Sequence, residues 1–346
     1  MNRRLHYFVS MGLVLLACGV APGGENRVLL VGIDGAGGRY TQAADTPNLD
    51  SLAAAGAARF DFLNEAALLA DPPEPYGSSG VNWSTVNTGA SAASHGVHDN
   101  FFDDNSLANF PHWFKYVKEH DPTLFTASIV NWAPINELLV PDEYADLKVQ
   151  FSGQPAAIED MLVRDEVVKL LDTGDPAAVF VHFDQVDQTG HAFAWGSPEY
   201  YAAIETVDGL IGDMMAALNA RPGVVSGFED WLVLVVADHG GEDGAFFHGA
   251  SQGPSDWEVP FILSGPSVPD GATFGPGTLR DVAPTALWHL GIDPSTTNME
   301  GHVVGVSVVP EPTPYPWIFL ALMVLQARRD PAMRWFGERK PGHRVC

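Results

Sequence analysis

The chain has 346 residues, 46% of them apolar, and a net charge of −25 from 43 acidic and 18 basic side chains. That is enough apolar material for one large domain with a substantial core, which excludes a disordered body. So acidic a surface repels phosphate backbones, which excludes nucleic-acid duplex as a partner. The two cysteines, Cys18 and Cys346, both sit near the ends, so the body has no disulfide framework and no thiolate metal site.

Residues 1–22 open with Arg3 and Arg4, continue through a short apolar stretch and end in small residues. This reads as a secretory signal peptide, too short for a membrane span. Its "LLAC" resembles a lipobox with Cys18 as the lipidated residue; the alternative is ordinary cleavage that removes Cys18. The body is expected to run over 25–308.

Within the body no repeat is evident, and apolar runs alternate with helical patterns. "RVLLVGID" (27–34) predicts a buried strand ending in Asp34, and "TPNLDSLAAAG" a helix with Thr46 as N-cap and Pro47 at the first helical position. "YGSSGVNWSTVNTG" (76–89) predicts a turn and then a helix. A serine at that helix N-terminus would sit in a field that favours anions, beside free backbone N–H groups. Ser78, Ser79 and Ser84 are not ranked by this physics, and each could simply be a cap or a helix residue. Phe101, Phe102 and Trp113 read as core residues that could also border a leaving-group pocket. Strands follow at 124–132 and 177–184 and helices at 156–174 and 199–220. "WLVLVVAD" (231–238) and "VPFILSG" (259–265) predict further strands, and 280–292 a closing helix. Continuous apolar strands alternating with helices imply an α/β fold, a mostly parallel sheet sandwiched by helices.

In such sheets sites form beyond the carboxyl ends of the strands. Three strands end in acids there: Asp34, the Asp184/Asp187 pair, and Asp238. Any one of them could merely cap the next helix. Asp187 and His191, four apart in "DQVDQTGH", share one helical face, and Gly190 permits a tight local backbone. His239 adjoins Asp238, and His248 follows in a glycine-rich loop that could fold back. Three Asp and three His, all oxygen and nitrogen donors, suit two divalent ions: two Zn2+, or Zn2+ with another divalent ion. Two metals ~4 Å apart can clamp a phosphoryl group for in-line displacement. Three aspartates and one ionised serine balance their charge and leave the site able to accept an anion.

In this order these segments resemble the alkaline phosphatase superfamily, and within it the type I phosphodiesterase/nucleotide pyrophosphatase branch. The carriers are the first strand with Asp34, "TPNLDSLAAAGA", "NWSTVNTGASAASHGVHDN", "DQTGH", "VVADHGG", "FFHGA" with "WEVPFIL", and "RDVAPTALWHLGI". The resemblance implies that Ser79 is the nucleophile and Asn100 contacts a phosphate oxygen. It implies one metal on Asp34, Asp238 and His239 beside Ser79, and another on Asp187, His191 and His248. Ser79 would form a phospho-enzyme that water hydrolyses, with Asn100 and the Gly80 N–H steadying the developing charge. The substrate expected is a small phosphoester. The branch usually carries threonine where Ser79 stands, so a phosphomonoesterase or phosphonate hydrolase on the same site is the alternative. A sulfatase motif is absent, since Ser79 is followed by Gly-Val-Asn. The stretch 100–150 is too short for the inserted domain of cofactor-independent phosphoglycerate mutases. A reading of another class is a catalytically silent surface or matrix protein.

Residues 309–346 carry Pro-Glu-Pro, an apolar run over 315–325, and then Arg328 and Arg329. This resembles a PEP-CTERM sorting tail of Gram-negative bacteria, although the run is short for a span and the chain continues beyond the arginines. The resemblance implies transient membrane anchoring, an exosortase-type processing partner, and an exported protein of the periplasm, outer surface or extracellular matrix.

Overall fold

The computed structural model describes residues 25–68, 77–249, 253–269 and 271–307. The leader expected over 1–22, with Cys18, and the tail expected over 309–346 lie outside the described residues.

In chain order the elements are β1 (Glu25–Ile33), α1 (Gly38–Ala43), α2 (Pro47–Ala55), β2 (Ala57–Leu63), α3 (Ser79–Thr88) and α4 (Ala92–His95). Next come α5 (Phe114–His120), β3 (Phe125–Val130), β4 (Leu147–Gln150), α6 (Ala156–Thr173), β5 (Pro176–Phe183) and α7 (Gln185–Phe193). The chain closes with α8 (Pro198–Ala220), α9 (Pro222–Val225), β6 (Glu229–Val236), α10 (Pro254–Trp257), β7 (Glu258–Ser264) and α11 (Val282–His289). The strands form one seven-stranded sheet in the order β2-β7-β6-β1-β5-β3-β4. Only β7 runs against the others, antiparallel to β6 on one side and β2 on the other.

The predicted mostly parallel sheet sandwiched by helices is therefore what the chain builds. Its centre is β1, flanked in parallel by β5 and β6. Val28, Leu29, Leu30 and Val31 are wholly buried, as expected of a strand covered on both faces. Each such side chain contributes about 1.5–3 kcal/mol by leaving water. Of the helices, α6, α7 and α8 pack together, and α3 packs on α11.

Sequence patterning misses the two edge strands. β2 reads "AARFDFL" and β4 "LKVQ", both half-buried with charges among the apolar residues. Such strands lack the continuous apolar signature because one side meets solvent. Thr46 does occupy the N-cap position of α2, but its hydroxyl makes no cap bond. The capping acceptor comes from α8: Asp208 takes the N–H of Leu49 at 2.8 Å and of Asn48 at 3.2 Å.

Candidate active site

The carboxyl ends of β1, β5 and β6 deliver the acids. Asp34 follows the last residue of β1, and its N–H continues the ladder to Phe183 O at 2.9 Å. β5 ends at Phe183, and α7 begins two residues later, carrying Asp187 in its first turn and His191 in its last. Asp238 and His239 follow β6 and are completely buried. Gly35 is the hinge that lets Asp34 and Asp187 approach: it has a φ of +71°, and a Cβ there would lie 2.8 Å from the Asp187 Cα. Gly190 serves differently from the expectation. It keeps helical backbone, and a Cβ would strike the Trp195 ring at 2.6 Å.

Ser79 opens α3, whose ten residues are all buried although six of them are polar. The helix satisfies them against itself. Ser84, Thr85 and Thr88 hydroxyls donate to Gly80, Val81 and Ser84 carbonyls, and the Asn87 amide to the Trp83 carbonyl. The element is a rigid polar plug that presents Ser79 and, one turn later, Trp83 to the acids. Of the three serines left unranked by sequence, Ser79 is the one at the centre: its Oγ lies 3.4 Å from Asp34 Oδ1 and 3.3 Å from His239 Nε2. Ser84 is used inside the helix. Gly80 N–H donates to Asn100 Oδ1 at 2.7 Å. That donor is thus engaged, and the bond fixes Asn100 with its NH2 as the free group. Phe102 and Trp113 are core residues, whereas Phe101 is 75% exposed.

His239 is 3.3 Å from both Asp34 Oδ1 and Asp238 Oδ2, and 3.9 Å from Asp187 Oδ1. The His248 ring stacks on His239 at 3.6 Å and reaches within 3.7 Å of Asp187 Oδ1. His191 Nε2 lies 3.5 Å from Asp187 Oδ2, the predicted i,i+4 pairing. Each of these three imidazoles meets a carbonyl at Nδ1: Gly240 O for His239, Gly77 O for His248 and Phe246 O for His191. A carbonyl only accepts, so Nδ1 carries a hydrogen and the neutral ring would turn the Nε2 lone pair to the carboxylates, the arrangement a metal-binding histidine needs. Burial disfavours charge on His239, but Asp238 and Asp34 raise it well above the imidazole range, so its Nε2 must give up a proton before it binds.

The crowding of acids suits a positive charge here. Burial and then the neighbouring Asp34 charge push Asp238 and Asp184 up to about 7, and Asp187 well above the carboxylate range. Burial opposes ionisation of Asp34 too, but hydrogen bonds and charge from His182 and His239 overcome it and hold it low. Burial and the neighbouring His239 hold His248 well below the imidazole range. Asp187 Oδ1 and Asp238 Oδ2 are buried acceptors with no partner among the described residues. Orphaned carboxylate oxygens facing imidazole nitrogens fit divalent cations. Three donor groups lie within 4.8 Å among the described residues: Asp34, Asp238 and His239; Asp187, His239 and His248; and Asp34, His182 and Asp184. The first is the expected set. In the second His239 stands where His191 was expected, with His191 at the margin.

Sequence reasoning misses two residues. His182 in the middle of β5 and Trp83 on α3 both reach Asp34 Oδ2, at 3.0 and 2.8 Å. The available signal for the first was a histidine inside the apolar run "VFVHF". A groove of about 790 Å3 lined by residues such as Asn48, Leu52, Met215 and Trp231 contains none of these side chains.

Residues 28–252 match the family described as type I phosphodiesterase/nucleotide pyrophosphatase. The chain belongs to this family. It is thereby a member of the alkaline phosphatase superfamily, as the resemblance implied. A 2,3-bisphosphoglycerate-independent phosphoglycerate mutase of Haloarcula marismortui is 31% identical over 138 residues, 37% of this chain and 24% of that protein. Ectonucleotide pyrophosphatase/phosphodiesterase family member 7 of Mus musculus is 24% identical over 243 residues, 62% of this chain and 50% of that protein. The chain thus spans about a quarter to a half of these curated relatives. Murine ectonucleotide pyrophosphatase/phosphodiesterase 5, solved as an inactive variant with AMP, shares the fold with a TM-score of 0.57 and 14% identity. That likeness covers 81% of this chain and 97% of that one. Sulfatases are also among solved structures of similar fold.

Proposed function

We propose that this family member is an exported metal-dependent phosphoric-ester hydrolase, a phosphodiesterase or nucleotide pyrophosphatase that works through a Ser79 phospho-enzyme. The observation that carries the reading is the Ser79 hydroxyl at a helix start, 3.4 Å from Asp34 Oδ1 and 3.3 Å from His239 Nε2. Asp34, Asp238 and His239 would hold one cation, and Asp187, His248 and His191 a second, with His239 near both; Zn2+ suits the donors. Bound there, the cations supply Lewis-acid charge that lowers the hydroxyl pKa and neutralises phosphoryl oxygens.

Ser79 Oγ attacks phosphorus as its proton is lost, and the leaving group departs on the opposite side. The α3 N-terminus directs its partial positive charge at the phosphoryl group. The Asn100 NH2, oriented by the Gly80 N–H, donates to a phosphoryl oxygen. Water then displaces the Ser79 oxygen and frees the enzyme. Export, sorting by the C-terminal tail and an exosortase-type partner complete the reading and rest on the end segments of the sequence.

Ser79 also supports a second reading, a phosphomonoesterase or phosphonate hydrolase, because the branch usually has threonine there. A paired rate decides: the Zn2+-loaded protein on bis-p-nitrophenyl phosphate and on p-nitrophenyl phosphate. Preference for the diester supports the phosphodiesterase reading, and preference for the monoester the second one. Ser79→Ala should lower either rate by about 1,000-fold or more with metal content retained. Unchanged turnover would remove Ser79 from the mechanism.

A further inference from the structure

Of the three acidic-histidine groups, the one made of Asp34, His182 and Asp184 has a different character from the other two. His239, His248 and His191 each give Nδ1 to a carbonyl and point Nε2 toward the acids. His182 is reversed. Its Nδ1 faces the Trp132 N–H at 3.5 Å, and its Nε2 faces Asp34 Oδ2 at 3.0 Å. A backbone N–H can only donate, so the hydrogen of His182 lies on Nε2. That nitrogen cannot bind a metal and donates to the carboxylate instead.

The same oxygen receives a second donor. Trp83 Nε1 reaches Asp34 Oδ2 at 2.8 Å, and the Trp83 and His182 rings meet edge to face with centroids 4.9 Å apart. Both side chains are fully buried. Trp83 gets there by lying over Gly32, where any Cβ would be 2.4 Å from the ring. Asp34 therefore has one oxygen tied down by two N–H groups, while Oδ1 is left facing Ser79 and His239.

We propose that His182 and Trp83 are positioning residues that clamp Asp34 so that it offers a single oxygen, Oδ1, to a cation beside Ser79. Trp83 lies one helical turn after Ser79, so its indole also sets how far the serine stands from that oxygen. The inference rests on the metal-dependent reading above. Without the clamp Asp34 is free to rotate and to present either oxygen or both.

The test is Zn2+ titration of the whole protein against a chromogenic chelator, with the visible spectrum of the Co2+-substituted form as a second readout. Wild type is expected to take two ions. His182→Met should weaken one of them by about 10–100-fold and alter the Co2+ spectrum, leaving the other ion in place. His182→Gln, whose amide N–H can take the place of Nε2, should restore both properties. A purely structural role would not separate the two ions in this way. If His182→Met does not fold, Trp83→Phe removes one donor and keeps the ring, and should weaken the same ion. Wild-type affinities and spectrum in the folded variants would overturn the clamp while leaving the metal-dependent reading intact. Failure of the wild type itself to take ions would overturn both.

Discussion

Asp187, Asp184 and Asp238 share one buried corner with Asp34, and the corner resolves its crowding in the metal-free state by keeping protons. The first three have carboxyls raised by burial and by the Asp34 charge, two of them to about 7. A divalent cation does the same job electrostatically, so loading must expel those protons. Adding Zn2+ at pH 6.5 should therefore release about one proton or more per chain, measurable by calorimetry in buffers of different ionisation heat. Proton-neutral binding would mean that these acids are already ionised and that the crowding is relieved another way. At this scale the sequence was informative where chemistry follows local spacing. Asp187 with His191, Asp238 with His239, and Asp34 at a strand end were all legible. His182 and Trp83 were not, because their contacts with Asp34 span 148 and 49 residues and leave no periodic trace.

Two elements depend on contacts that their own sequences do not contain. α2 carries a threonine at its N-cap, yet the acceptor for its first N–H groups is Asp208 of α8, itself buried. Asp208→Ala should cost about 1–2 kcal/mol, or roughly 2–8 °C in melting temperature, with Zn2+ stoichiometry unchanged. A melting point equal to wild type would show that water caps the helix equally well. α3 is legible as a helix from its serine start and its Gly89 stop, but its complete burial is not, since most of its sequence is polar and no apolar stripe marks it. Its fit to β1 depends on Gly32. Gly32→Ala should destabilise the protein by about 1–3 kcal/mol, because the added methyl meets a fully buried Trp83 that has no room to yield. Chemical denaturation would read that loss directly. The core strands were legible because they are apolar throughout, and β2 and β4 were missed because edges are not.

The whole molecule is acidic, and its site is acidic within it. Asp184 and Asp238 bind protons more tightly in the folded chain than in the unfolded one, and His239 is likewise raised. Groups raised in this way contribute stability at low pH and lose it as pH climbs through the folded values. In the metal-free protein these groups should therefore withdraw stability between about pH 4 and 7, against the opposite contribution of His95, His112 and His248, which burial holds low and which destabilise the fold as pH falls below about 6.5. Asp34 is shifted the other way, so its contribution is lost only below pH 4 and does not offset this trend. Because Zn2+ must displace those protons, the rise in melting temperature it produces should be larger at pH 8 than at pH 5; an equal rise at both would contradict the assignment. The net charge of −25 also opposes an anionic substrate in solution. Raising ionic strength from low values should accordingly increase kcat/KM for a phosphodiester, the reverse of electrostatic steering.

The proposed cation ligands come from the ends of two strands, one helix and one loop, and the chain returns to Asp34 only after Gly35 and Asp238, 203 residues apart, have met. No fragment of the polypeptide owns the site. On the metal-dependent reading, a nascent or half-threaded chain would hold no complete site, so an ion would be captured only by the finished fold. The compartment in which folding ends would then help to choose the metal, alongside the ligands that receive it.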